Sequence, residues 1–260
     1  MKISVITPTI RPDGLAIVAN SLKNQSFQNW EWIICSPKKL EKEIRKVIGD
    51  IVPFKFIGNP PLKSGQFWDL NYSYNQLIEN SSGELLVSWQ DWVYADSDGL
   101  EKFWTNYIAT YKKALISGVG NQYAELDRFS KATILVWKDP RLTDKYGSFY
   151  ECYFPDIEYN FCAAPKKVLH DVGGFCEKLD YRGYGMDGYQ VNERLNELGY
   201  KFYLDQNNKS YSIYHDRSAH GGQENWDIHN NLTNGEYEKV RQEFKDRGEW
   251  PRMKYLTIDK

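Results

Sequence analysis

One α/β fold, with a mostly parallel central sheet and helices on both faces, is what this sequence predicts. Short apolar runs of strand type alternate with helix-spaced segments through residues 1–115, a pattern that implies right-handed crossovers. The first and fourth of these runs end in polar turns, Thr7-Pro8-Thr9-Ile10-Arg11 and Gln90-Asp91-Trp92. Such sheets bind ligands beyond the carboxyl ends of their strands. The 260 residues, 41% hydrophobic, suit one large α/β unit with a C-terminal appendage.

The elements follow in order. Ile3 to Thr7 is a buried strand, broken by Pro8, Pro12, Asp13 and Gly14. Asp13 is expected to cap a helix that carries Leu15, Val18, Leu22 and Gln25 on one face. Trp30 to Cys35 reads as a second strand, and a charged helix follows over 38–48. Phe54 to Ile57 is a third strand. After Pro60-Pro61, residues 67–78 have helical spacing. Leu85 to Trp89 is a fourth strand. A helix is expected over 97–115.

The second half reads less regularly. Strands are expected over 132–137 and 159–164, with a helix over 165–172 and a turn at Gly173-Gly174-Phe175. A helix from Asp187 to Leu198 stops at Gly199, a suitable C-terminal residue. Two short strands, 202–205 and 210–215, precede a charged amphipathic helix over 235–247. The division expected is a main unit over 1–220, with halves over 1–115 and 116–220, and an extension over 221–260.

Composition narrows the function. A net charge of −2 provides no domain-wide basic field for nucleic acid or anionic membrane. The aromatic content of 15% suits concave surfaces that take rings. None of Cys35, Cys152, Cys162 and Cys176 forms a C-x-x-C pair, so neither a zinc site nor a disulfide framework is expected. Met1 runs straight into a strand and no apolar run is long enough to span a bilayer, so a cytoplasmic protein is expected. The P-loop, the G-x-G-x-x-G fingerprint and H-E-x-x-H are all missing, which disfavours common NTPases, dehydrogenases and zincins.

Three segments carry candidate chemistry. Asp91, just past an apolar strand, has the chemistry to hold a divalent cation on a diphosphate. Gly183 to Gly188 is a glycine-rich turn with Asp187 at a helix start; the acid is either a helix cap or a general base. His215 and His220 lie in a polar loop beside Asp216 and suit a metal or a phosphate.

The order of these motifs resembles the family-two glycosyltransferases of A-type fold, over about residues 1–220. Ile3-Ser4-Val5-Ile6-Thr7-Pro8-Thr9, Ser21-Leu22, Gln25 and Trp30 to Ile34 match the family's first strand, helix and second strand. Asn75 precedes Gly83-Glu84 by the family's interval. Gly83 to Trp92 takes the place of the D-x-D segment, and Val172-Gly173-Gly174-Phe175 with Tyr184 to Leu195 takes that of the acceptor-side motifs. The chain departs from the family at three places. Ser36-Pro37 stands where an acid usually reads the uracil edge. The D-x-D becomes Gln90-Asp91-Trp92. The usual Glu-Asp pair becomes Asp187-Gly188.

The resemblance implies transfer of a sugar from a nucleoside-diphosphate sugar, a UDP-sugar first among them, to a hydroxyl of a glycan, a lipid-linked or another acceptor, with inversion. It assigns Thr7, Pro8, Thr9, Arg11, Ser36, Lys63, Gln66, Asn75, Gln90, Asp91 and Trp92 to the donor. It assigns Asp91 and His215 to Mn²⁺ or Mg²⁺, and Asp187 to the general base. Trp68, Gly185, Met186 and His220 go to the acceptor or sugar. Three rivals stand beside it: a glycosyltransferase acting on modified bases in phage-type DNA, a nucleotidyltransferase, and a catalytically silent nucleotide-sugar-binding module.

Overall fold

The computed structural model describes residues 2–64, 66, 69–125, 133–181, 187–214, 235 and 237–253, with only the backbone at Asp187. The chain runs β1 (Ile3–Pro8), α1 (Leu15–Lys23), β2 (Trp30–Pro37), α2 (Glu41–Ile48), β3 (Lys55–Asn59), α3 (Leu70–Asn80), β4 (Leu85–Trp89) and β5 (Val93–Ala95). It continues through α4 (Gly99–Ala109), β6 (Ala114–Tyr123), β7 (Leu135–Trp137), β8 (Phe149–Glu151), β9 (Phe161–Pro165), α5 (Lys166–Asp171), α6 (Asp187–Glu197) and β10 (Lys201–Ile213). Helix also covers residues 237–246.

The strands form one sheet in the order β3-β2-β1-β4-β9-β6-β10-β5, with β7 on β6 and β8 on β10. The long ladders β3-β2-β1-β4 and β6-β10 are parallel. β9 enters antiparallel between β4 and β6 and so joins the two parallel blocks. The expected α/β fold with helices on both faces is borne out.

Strand alternation divides the core between the two faces. Val5, Trp32, Ile34 and Trp89 meet Leu15, Val18, Leu22, Ile44 and Phe103 on one side. Ile6, Ile33, Cys35 and Leu86 meet Tyr74, Leu77, Leu169, Val191 and Leu195 on the other. All four cysteines are free thiols, as expected. Burial pushes the Cys35 thiol up to about 12, which makes it a packing group.

Three local expectations are corrected. The helix expected over 97–115 ends at Ala109. Tyr111 and Lys112 then take left-handed backbone (φ 55° and 61°), and the chain restarts as β6. That strand is interrupted by glycines, which hides it from pattern reading. Yet a Cβ at Gly118 would lie 2.6 Å from both the Asn208 carbonyl and the Phe161 ring, so only glycine fits there. The two strands expected over 202–215 are one strand, β10, whose pairing with β6 shifts between Asp205 and Lys209. Asp13 caps no helix; it sits inside a 3₁₀ turn, Pro12–Gly14, whose flanking residue is Arg11.

The tail docks on the body. Tyr237, Val240, Phe244 and Met253 pack with Cys176 and Leu179, and Arg241 pairs with Glu193 of α6 at 2.8 Å. No described helix is long and apolar enough to cross a membrane.

Candidate functional site

The carboxyl ends of β1 and β4 meet the last residues of β10. Past β1, the Thr9 amide bonds the Cys35 carbonyl at 3.0 Å, which keeps the turn beside β2. The Thr9 hydroxyl donates to Asp91 Oδ2 and receives the Arg11 amide at 2.9 Å. Arg11 grips the same carboxylate from the other side, with Nη2 2.5 Å from Oδ1 and Nε 3.2 Å from Oδ2. Both oxygens of Asp91 are therefore engaged. Its side chain is 2% exposed, against 27% for Arg11.

Trp92 clamps this turn. Its backbone is left-handed (φ 61°), and its indole lies on Gly14, where a Cβ would come within 2.4 Å of Cδ1. Its amide and carbonyl bond Gly14 at 3.4 Å and the Ile213 amide at 2.8 Å. The first bond ties the Pro12–Gly14 turn to the Asp91 turn, and the second brings the chain to Tyr214 beside it. His215, the next residue, lies outside the described residues.

The second half of the chain reaches the same edge through Asn160, whose carbonyl receives the Gln90 amide at 3.0 Å. The neighbouring Tyr159 ring packs against Gly188, where a Cβ would lie 2.7 Å from Cδ2. This contact leaves no room for a side chain at position 188 unless the Tyr159 ring moves. It also seats the first turn of α6, which Asp187 opens, next to the end of β4.

Asn75 and Arg194 hold α6 and the Gly173-Gly174-Phe175 turn together. The Asn75 amide brackets Phe175, accepting from its N–H at 2.8 Å and donating to its carbonyl at 2.9 Å. Arg194, fully buried, donates to the carbonyls of Val172 at 2.6 Å, Gly174 at 2.5 Å and Gln190 at 3.0 Å.

Several residues expected to touch the donor have other work in the described structure. Thr7 is fully buried; its hydroxyl donates to the Trp89 carbonyl at 2.6 Å and accepts the Trp32 indole N–H at 2.9 Å. Pro8 ends β1 against Cys35. Ser36 is buried beside them, and its hydroxyl has no partner among the described residues. Lys63 and Gln66 close a local turn by bonding each other. Trp68, Gly185, Met186 and His220 lie outside the described residues.

Two buried acids escaped the sequence reading. Asp139 pairs with Arg141, Nε at 2.9 Å from Oδ1 and Nη2 at 2.6 Å from Oδ2. Burial pushes the Asp139 carboxyl up, but Arg141 and the Gly120 amide outweigh it and hold it below the usual range. Arg141 also reaches Glu158 at 3.3 Å, next in the chain to Tyr159 and Asn160. The signal lay in Asp139-Pro140-Arg141, an acid and a base around a proline just after an apolar strand.

Asp180 is the second. It accepts the Asn71 and Tyr72 amides, each at 3.0 Å, and so caps α3 from 109 residues away. Burial pushes its carboxyl up to about 7, against the pull of these donors and with help from the charge on Asp69. An acid whose pKa is raised by folding binds more protons folded than unfolded between its two values. The stability cost is thus absent near pH 4 and complete above about pH 7. We expect the stability of the wild-type chain relative to Asp180→Asn to rise as pH falls from 8 to 5, by at most about 1.4 kcal/mol per unit. Urea melts at the two pH values check this; a constant difference would place the Asp180 pKa outside that window.

Among the described residues no three His, Cys, Asp or Glu side chains stand together as a metal cluster. Asp91 has one acid's donors, both already engaged, and its flanking positions are Gln90 and Trp92. Among the described residues this donor set does not fit a divalent ion, which takes about six oxygen ligands; His215, the other ligand expected, lies outside them.

No family model matches the chain, and no curated protein matches it by sequence. Solved structures do. It is similar to S. aureus TarS 1-349 at 14% identity, with a TM-score of 0.58 over 82% of this chain and 60% of that one. The structure of TarS 1-349 in complex with UDP gives 14% and 0.54 over 82% and 61%. The complex with UDP-GlcNAc gives 12% and 0.56 over 83% and 59%. The chain spans about three fifths of the TarS 1-349 length. At these identities the likeness is one of fold: the chain shares the α/β fold of S. aureus TarS.

Proposed function

We propose that this chain transfers a sugar from a nucleoside-diphosphate sugar, a UDP-sugar first, to an acceptor hydroxyl. The observation that carries this reading is the Thr9–Asp91–Arg11 cluster. It stands at the carboxyl edge of β1 and β4, where α/β sheets take their ligands, in a fold shared with a protein solved with UDP and with UDP-GlcNAc.

In this reading the acceptor oxygen attacks the anomeric carbon from the face opposite the diphosphate. The bond from that carbon to the phosphate oxygen breaks, and the nucleoside diphosphate leaves with the electron pair. The acceptor's proton passes to Asp187, at the first position of α6. The anomeric centre inverts. The charge that develops on the diphosphate calls for a cation beside it. The acceptor is a glycan, a lipid-linked sugar or another hydroxyl compound.

The test is calorimetry of purified protein with UDP, other nucleoside diphosphates and the matching sugars, followed by assay of donor hydrolysis. Binding of one nucleoside diphosphate with slow release of its sugar supports a transferase. Binding without hydrolysis supports a silent module, and no binding of any nucleotide removes the reading.

A further inference from the structure

We propose that the cation meeting the donor's diphosphate in this chain is the Arg11 guanidinium, seated by Asp91, in the place where related chemistry uses a divalent metal. The proposal rests on the reading of this edge as a nucleoside-diphosphate-sugar site.

Three observations carry it. The first is the state of Asp91. Arg11 and the Thr9 hydroxyl occupy both of its oxygens, and the carboxylate is buried. A metal would have to break a 2.5 Å charge-assisted bond before it gained its first ligand. The second is what stands on either side. Gln90 carries no charge, and Trp92 is committed to Gly14 through a left-handed backbone and its stacked indole. The turn therefore cannot bring a second acid to the ion.

The third is the direction of exposure. Of the paired side chains it is Arg11, 27% exposed, that reaches the surface of the carboxyl edge, while Asp91 at 2% lies beneath it. A guanidinium is planar, permanently charged and matched to phosphate oxygens two at a time. The carboxylate holds that plane in one orientation, and the Arg11 amide on Thr9 Oγ1 fixes the backbone that bears it. Asp91 is then a positioning residue: it orients the cation and is screened from the diphosphate by it.

The wild-type chain itself provides the decisive measurement. UDP binding is titrated by calorimetry in EDTA and again with Mn²⁺. We expect the two dissociation constants to agree within about threefold. Arg11→Ala should weaken UDP binding by about 10- to 100-fold in both buffers, the scale of a lost charge-assisted phosphate contact. Arg11→Lys, which keeps the charge and loses the fork, should fall between. Melting temperatures of both variants confirm that they fold; if Arg11→Ala does not, the wild-type pair and Arg11→Lys still decide the matter. UDP binding that needs Mn²⁺, or that survives Arg11→Ala in EDTA, overturns the proposal and leaves the transferase reading intact. A wild-type chain that binds no nucleotide in either buffer overturns both.

Discussion

Replacing Asp187 with alanine is expected to lower the rate of sugar transfer by about 10²- to 10⁴-fold, the usual contribution of a general base. Donor binding should stay within about threefold of wild type. The expectation comes from the position of the residue. α6 opens at Asp187, and its first turn is fixed against Tyr159 by the close approach at Gly188. Tyr159 adjoins Asn160, which bonds the end of β4. The proposed base thus opens a helix whose first turn is tied, through Tyr159 and Asn160, to the end of β4. Single-turnover assays with saturating donor, with calorimetry on the same preparations, separate the two quantities. A variant that transfers sugar at the wild-type rate would remove Asp187 from the mechanism. One that loses donor binding would move it to the donor side.

Arg194→Met is expected to destabilise the fold by about 3–5 kcal/mol. The substitution keeps most of the volume and removes every donor. Arg194 is fully buried, and it bonds three backbone carbonyls, those of Val172, Gly174 and Gln190. A buried carbonyl left without a partner costs about 1–3 kcal/mol; the Val172 carbonyl keeps the Met253 amide at 3.2 Å, and losses that share one site do not simply add. These carbonyls belong to the Gly173-Gly174-Phe175 turn and to α6, so the same change should loosen the element that carries Asp187. Transfer should fall in kcat while the donor KM moves little. Urea unfolding followed by tryptophan fluorescence reads the stability, and steady-state kinetics reads the split. A loss below 1 kcal/mol would show that water or neighbouring groups take over the guanidinium's bonds.

Burial dominates both cases, but by different routes. At Arg194 it makes each unmet hydrogen bond expensive. At Asp91 it makes the partner on the carboxylate hard to exchange, because a buried charge tolerates no interval without a counter-charge. The Arg11 proposal therefore follows from the same physics as the stability prediction. The sequence reading treated Asp91 as an open acid, whereas folding has closed it.

Most of the first-half architecture was legible in the sequence. Val5, Ile6, Trp32, Ile33, Leu85 and Leu86 announce strands buried on both faces, and the helices between them show their apolar faces at regular spacing. The polar turns after β1 and β4 were legible for the same reason, since buried strands must end where polarity begins. The motif order then pointed to the fold.

What the sequence could not decide was pairing across distance. β6 was invisible because its glycines lie against Phe161, Asn208 and Ser210, which are remote in the chain. Nothing near Asn75 in the chain shows that the fold brings Phe175 to it. Nothing near Asp180 in the chain shows that it meets the start of α3. Thr7 and Asp91 both sit at strand ends, and nothing in their own neighbourhoods distinguishes them. Only the tertiary structure shows that one hydroxyl is spent between Trp89 and Trp32 and that one carboxylate is held by Arg11. Periodicity and turn chemistry act within a few residues, so sequence alone determined the elements and the sheet edge at which the site lies. The partners of each polar group are set by contacts between strands and helices tens of residues apart, and those only the folded chain decides.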